Sequence, residues 1–144
     1  MKFRIITEPE EYDECHALLM AEKWPPVELG HPTVTARDEQ DELIGFVSTD
    51  LQDDLVVAGP LVLRQEKLHA FTALSLLLAY EEMIGTLGVK RYIFYVDPTK
   101  TPGLVRGIKK YFPDLKPYAT QGTKEFYVRA LDEDRKNVFR AGVH

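Results

Sequence analysis

The sequence predicts one α/β domain with a mixed central sheet flanked by helices, and three observations carry that expectation. The predicted elements run strand, helix, three antiparallel strands, long helix, strand, helix, strand pair. The stretch Arg91-Tyr92-Ile93-Phe94-Tyr95-Val96 lacks polar alternation, which is how a strand covered on both faces reads, usually a parallel one. Strand, long helix and strand in that order imply a right-handed crossover.

The chain has 144 residues, 44% hydrophobic and 28% charged, which is ordinary composition for a single domain. A domain of about this size buries on the order of 70% of its unfolded surface, so it needs neither disulfides nor a structural metal. Cys15 is alone, which excludes an intramolecular disulfide and fits a reducing compartment. Glu8, Glu10, Glu11, Asp13 and Glu14 stand where a signal peptide needs an apolar stretch. The longest apolar run, from Leu76 to Tyr80 with modest extensions, is too short to cross a bilayer. The expectation is a soluble, cytoplasmic protein without a membrane partner. A net charge of −5 disfavours nucleic acid, whose phosphates demand a positive footprint. Basic residues still gather in one stretch, Lys100, Arg106, Lys109, Lys110 and Lys116. They form either a solvated helix face or an anion site, such as one for a cofactor phosphate.

Each element has its own signal. Residues 2–6 read as a strand, and Thr7 with Glu10 has the form of a capping box opening a helix over 8–23. Tyr12, Cys15, Leu18 and Leu19 form its apolar stripe, and Pro25-Pro26 stops it. Residues 24–32 are a loop; 33–37 and 43–48 are the arms of a hairpin; Thr49 to Asp54 is a polar turn. Residues 55–64 form a strand bent or bulged at Gly59-Pro60, where one ladder donor is missing. From Ala70 to Thr86 the apolar residues cover most of a helix circumference, so this helix is central and buried, and Gly88 ends it. Thr101 caps and Pro102 opens the next helix, which runs to about Tyr111. A last hairpin has arms near 116–120 and 124–131 around Gln121-Gly122. The domain thus spans 1–131, and the charged segment 132–144 reads as a C-terminal tail available to a protein partner.

This order and these lengths resemble the GNAT (N-acetyltransferase) superfamily over roughly residues 2–131. The resemblance implies that strands 55–64 and 91–96 splay to admit a pantetheine arm. It also implies that the loop between them and the central helix holds a pyrophosphate. That loop's signature is Gln/Arg-x-x-Gly-x-Gly/Ala, and the chain reads Gln65-Glu66-Lys67-Leu68-His69-Ala70, with Gln65 and Ala70 in place and Leu68 replacing the first glycine. A glycine there lets backbone N–H groups approach phosphate oxygens, and a leucine side chain impedes that approach. Leu63, Arg64, Gln65, Lys67, Leu68, His69 and Ala70 are thus the implied cofactor-binding set, with acetyl-CoA the implied cofactor.

The family also has an asparagine near the start of the following helix and a tyrosine seven residues on that protonates the departing thiolate. No asparagine lies between 97 and 113, Ile108 holds the position seven residues after Thr101, and Tyr111 is the nearest tyrosine. Tyr111 is therefore the candidate acid and Glu66, beside the cofactor loop, the candidate base. Asp97-Pro98 reads as a turn starter, Tyr92 and Tyr95 as packing residues on opposite strand faces, and no His/Cys/Asp spacing suggests a metal.

Two functional expectations follow. The first is transfer of an acetyl group from acetyl-CoA to a small-molecule or protein amine. The second is a cofactor-less GNAT-fold binding or structural protein, motivated by Leu68 and the displaced tyrosine. The strand around Ala58-Gly59-Pro60 and the central helix resemble small GNAT-like proteins of tailed bacteriophages, some of which are virion-associated.

Overall fold

The computed structural model describes residues 1–52, 54–65 and 71–131. Its elements are β1 (Lys2–Ile5), α1 (Pro9–Ala21), β2 (Val34–Arg37), β3 (Leu43–Gln52), β4 (Leu55–Leu63), α2 (Thr72–Thr86), β5 (Arg91–Val96), α3 (Pro102–Tyr111), β6 (Ala119–Gln121) and β7 (Lys124–Ala130). The strands form one seven-stranded sheet in the order β1-β2-β3-β4-β5-β7-β6. Among the described residues only β4 and β5 pair in parallel. They are joined through α2, as the apolar run of β5 predicts.

The first helix begins one residue later than a capping box at Thr7 would place it. Pro9 takes the first helical turn, where its missing N–H is no loss, and Glu8 is the capping residue without a side-chain bond. The reciprocal acid is Glu11 instead of Glu10: its carboxylate accepts the Thr7 N–H at 3.2 Å and the Arg4 guanidinium at 2.7 Å. Cys15, Leu18 and Leu19 then pack on Leu43, Phe46 and Val62, and no residue of β5 or β7 joins that cluster.

The expected polar turn from Thr49 is mostly strand, because β3 continues to Gln52 opposite Leu55. Thr49 is not solvated at all. Its side chain is buried and bonded to the Pro32 carbonyl at 2.7 Å and to the Tyr80 hydroxyl at 2.5 Å. The expected bulge is present. Val47 pairs with Leu61 and Thr49 with Ala58, so Ser48 alone faces both Gly59 and Pro60.

On the far side of the sheet α2 buries Leu74, Leu76, Leu77, Tyr80 and Ile84 against β5 and β7 residues, and Gly88, at φ 89°, lets the chain turn back into β5. α3 packs beside it, with Gly107 against Leu74. Tyr80, Tyr92, Phe94 and Tyr127 form a row of rings with centroids 5.9, 5.9 and 5.0 Å apart. Each such pair adds about 0.5–1.5 kcal/mol beyond its burial. Beneath them Glu81 receives the Tyr92 hydroxyl at 2.6 Å and two Arg129 bonds at 2.5 and 2.9 Å, all buried. Tyr92 therefore satisfies its hydroxyl inside the domain.

β5 is not covered on both faces. Tyr92, Phe94 and Val96 are buried under the α2 layer, whereas Ile93 and Tyr95 on the opposite face are half-buried, since α1 does not extend over them. The last hairpin has a shorter first arm than expected and turns at Gly122. No helix among the described residues is long and apolar enough to cross a membrane.

Candidate functional site

The parallel pair β4–β5 is brief: Val57 faces Ile93 and Ala58 faces Phe94, and there the registered pairing ends. The Gly59-Pro60 bulge lies immediately beyond, so the strands part where β4 bends. Glycine at 59 is a steric requirement, because a Cβ there would collide with the Tyr95 ring near the carbon bearing its hydroxyl. Tyr95 therefore sits on the floor of the opening, on the face away from α2. Burial first, and the nearby charge of Asp50 second, push its phenol up to about 12. At neutral pH that phenol keeps its proton and can only donate it.

The carboxyl end of β4 carries the first three residues of the implied cofactor set. Leu63 is a buried core residue. Arg64 turns back to β3, its backbone N–H donating to the Ile44 carbonyl at 2.8 Å and its Nε to the Leu43 carbonyl at 3.1 Å, with Glu42 at 3.8 Å. Gln65 is exposed. Its side-chain amide donates to the Lys100 carbonyl at 2.8 Å, and its backbone N–H to the Glu22 carboxylate at 3.2 Å. Lys100 in turn donates to the Glu22 and Lys23 carbonyls at the end of α1, at 3.3 and 3.2 Å, and its ammonium lies 6.0 Å from the Trp24 ring centroid. These contacts stitch β4, the loop after β5 and the end of α1 together across the opening. The expected candidates Glu66, Lys67, Leu68, His69 and Ala70 lie outside the described residues, as does the tail 132–144.

Tyr111 ends α3 and is half exposed, with its ring 5.8 Å from that of Phe71 at the head of α2. Asp97 is the turn former that its Asp-Pro context predicts. It accepts the Thr99 N–H at 2.9 Å and the Thr123 hydroxyl at 2.9 Å, which ties β5 to the β6–β7 turn. Burial would raise its pKa, but the Thr99 and Thr123 bonds and the Lys100 charge outweigh burial and hold it below the ordinary value.

On the α1 side a cavity of about 200 Å³ opens between the Glu28–His31 loop and the end of β3, with Glu28, Gly30, His31, Thr49 and Asp50 in its wall. Asp50 belongs both to this wall and to the electrostatic surroundings of Tyr95. Lys124 stands on the other flank, 4.8 Å from the Tyr95 ring centroid. The motif reading singled out none of Tyr95, Asp50, Glu28 or His31. The only signal for Tyr95 was its position opposite Tyr92 on a strand beside a glycine bulge. Cys15 is no nucleophile, since burial and the Glu14 charge push its thiol up to about 12. Among the described residues no cluster of metal-ligating side chains forms.

This mixed sheet flanked by helices is matched by solved structures. A GNAT family N-acetyltransferase from Escherichia coli in complex with CoA superposes with a TM-score of 0.62 at 18% identity, covering 94% of this chain and 84% of that one. The fold is that of the GNAT acyl-CoA N-acyltransferases. An aminoglycoside 6'-N-acetyltransferase complexed with coenzyme A gives 0.61 at 14% identity, covering 91% and 97%. An aminoglycoside 6'-acetyltransferase type Ii gives 0.64 at 15%, with the same coverage. No protein-family model matches the sequence, and no curated protein sequence matches it.

Proposed function

We propose that the chain is an acyl-CoA-dependent N-acyltransferase that passes an acyl group, with acetyl the leading case, to an amine. The observation that carries this reading is the opening between β4 and β5. Past Ala58 and Phe94 the ladder stops, and an extended, amide-bearing chain can take the place of the missing strand partner. A pantetheine arm is such a chain, and glycine at 59 leaves the room that the Tyr95 ring takes beside the slot. When bound, the cofactor supplies an activated acyl thioester.

The protein's own residues then have separable tasks. Gln65, the backbone of 65–70 and Lys67 hold the pyrophosphate, with Leu68, His69 and Ala70 completing the loop. The cavity beside β3 receives the amine, whose ammonium proton passes to Asp50, Glu28 or His31. Tyr95, held protonated at the opening, is placed to donate to the leaving thiolate. Tyr111 and Glu66 are the alternative acid and base. The test is calorimetric titration with acetyl-CoA, followed by a thiol-release assay over a panel of small amines and lysine peptides. Saturable binding below millimolar cofactor is expected, together with amine-dependent thiol release. No binding at millimolar cofactor would sink the reading.

One observation favours a second reading, a cofactor-less GNAT-fold binding or structural protein of the bacteriophage, virion-associated kind. Gln65, Lys100 and Glu22 already satisfy one another across the opening. On this reading the tail 132–144 engages a protein partner. A stable partner that copurifies from the native host and is lost on deleting 132–144 supports it, whereas turnover of acetyl-CoA counts against it. A cytoplasmic location belongs to the first reading and a virion location to the second.

A further inference from the structure

The last turn of α1 contains no basic residue, so the helix itself supplies no charge against the negative end of its dipole. Its closing turn is hydrogen-bonded in full: the Lys23 N–H donates to the Met20 carbonyl at 3.0 Å and the Trp24 N–H to the Leu19 carbonyl at 3.1 Å. The left-handed position of that turn, φ 62°, is held by Lys23, where glycine is the usual residue. The carbonyls of Glu22 and Lys23 both accept from the Lys100 ammonium, at 3.3 and 3.2 Å. A cation from the loop after β5 thus answers the negative end of α1.

Glu22 adds a full negative charge at the same place. Its carboxylate accepts the Gln65 backbone N–H at 3.2 Å, while the Gln65 side chain donates to the Lys100 carbonyl at 2.8 Å. A backbone N–H at the end of a strand and a lysine ammonium tied to the same residues are the donors an anion takes. Here they are filled from within, by a carboxylate and two carbonyls of one helix end. Gln65 is exposed and Glu22 only half-buried, so each bond is weak by itself and the closure holds because the bonds act together. A stronger anion that competes for the same donors opens it.

We infer that the end of α1 is a latch: Glu22 stands in for a phosphate, and a phosphate-bearing ligand enters by displacing it from the Gln65 N–H and the α1 carbonyls from Lys100. The inference rests on the acyl-CoA reading for the identity of that ligand, and it adds regulation to the same site. The empty protein holds β4, the loop after β5 and α1 closed on one another, and the ligand's affinity is set by what it must displace.

The test titrates the full chain with CoA and with inorganic pyrophosphate. Glu22→Ala should bind them roughly tenfold more tightly than the wild type, and Glu22→Gln, which keeps the shape and drops the charge, roughly threefold. Removing any acid beside an anion also raises affinity, so Glu22→Ala is repeated in the Lys100→Met background, where the latch is already undone. There it should gain less than about twofold, whereas simple repulsion would give the full tenfold again. Independently of any ligand, the Gln65 backbone amide should exchange with solvent roughly tenfold faster in Glu22→Ala than in the wild type, read by NMR. Thermal unfolding of each variant checks that the fold persists. The latch is overturned if Glu22→Ala leaves affinity for both ligands unchanged, if its gain is the same in both backgrounds, if the Gln65 amide exchanges at the wild-type rate, or if neither ligand binds any of the proteins. The full pattern with pyrophosphate but no binding of CoA would strike the acyl-CoA reading and leave the latch standing. CoA binding that no Glu22 variant alters would overturn the latch and spare that reading.

Discussion

The two faces of β5 and β7 are built from alternate residues of the same strands, yet they differ in every physical respect. Beneath α2 and α3, Tyr92, Phe94, Tyr127 and Arg129 are buried, and the polar atoms of the Tyr92–Glu81–Arg129 cluster answer one another. The Arg129 guanidinium also lies 4.3 Å from the Phe112 ring centroid. On the opposite face Ile93, Tyr95, Phe126 and Val128 are half-buried, a lysine stands over Tyr95, and a cavity opens beside β3. The satisfied face holds the sheet in shape so that the open face can leave its side chains half-exposed.

The largest effect should come from breaking the satisfied face. Arg129→Met leaves the Glu81 carboxylate buried without its partner and should lower unfolding free energy in urea by about 3–5 kcal/mol. The double change Glu81→Leu with Arg129→Met should recover most of it. A loss below about 1 kcal/mol would mean the pair behaves as a surface one, and the contrast between the faces would fail.

Next in size is Gly59→Ala, which drives a methyl group into the Tyr95 ring and should cost about 1–3 kcal/mol. Adding Tyr95→Ala should relieve much of that cost, which denaturation of the single and double variants will show.

Tyr95→Phe belongs to the open face and should therefore spare stability, with a change within about 1 kcal/mol, because no packing is lost. If Tyr95 donates to the leaving thiolate, kcat should fall on the order of a hundredfold with cofactor affinity unchanged. An unchanged kcat would return the acid role to Tyr111.

The smallest effect is at Asp97, which ties the end of β5 to the β6–β7 turn. Its folded pKa lies below the ordinary value, so it contributes stability above the ordinary carboxylate range and loses it as pH falls through the lowered folded value. The stability advantage of wild type over Asp97→Asn should be full at neutral pH and shrink under acid. An advantage constant with pH would show that the Thr99 and Thr123 bonds, not the charge, are responsible.

Much of this fold was legible because local signals and tertiary pairing agree. The apolar run of β5 announced a parallel neighbour, and Gly59-Pro60 announced the bulge that parts it from β4. Thr49 misled because a threonine among polar residues looks solvated, and only the arrival of Tyr80 from α2, thirty-one positions away, makes it a core residue. The open face misled for the converse reason. Ile93 and Tyr95 are as apolar as their neighbours, and nothing local says that α1 stops before reaching them. The neighbourhood of Tyr95 was not legible at all, because Tyr95 and Asp50 come together through a bulge and a register that no spacing rule contains.

The stitch at the end of β4 has an optical consequence. Trp24 is the chain's single tryptophan, and the Lys100 ammonium that holds the stitch lies against its indole. A positive charge at that distance shifts indole emission, so the fluorescence of the unlabelled protein reports whether the loop after β5 and the end of α1 are together. Ligand entry between the strands, thermal fraying of the stitch and the Lys100→Met substitution can each be followed at that one wavelength band, with no probe attached.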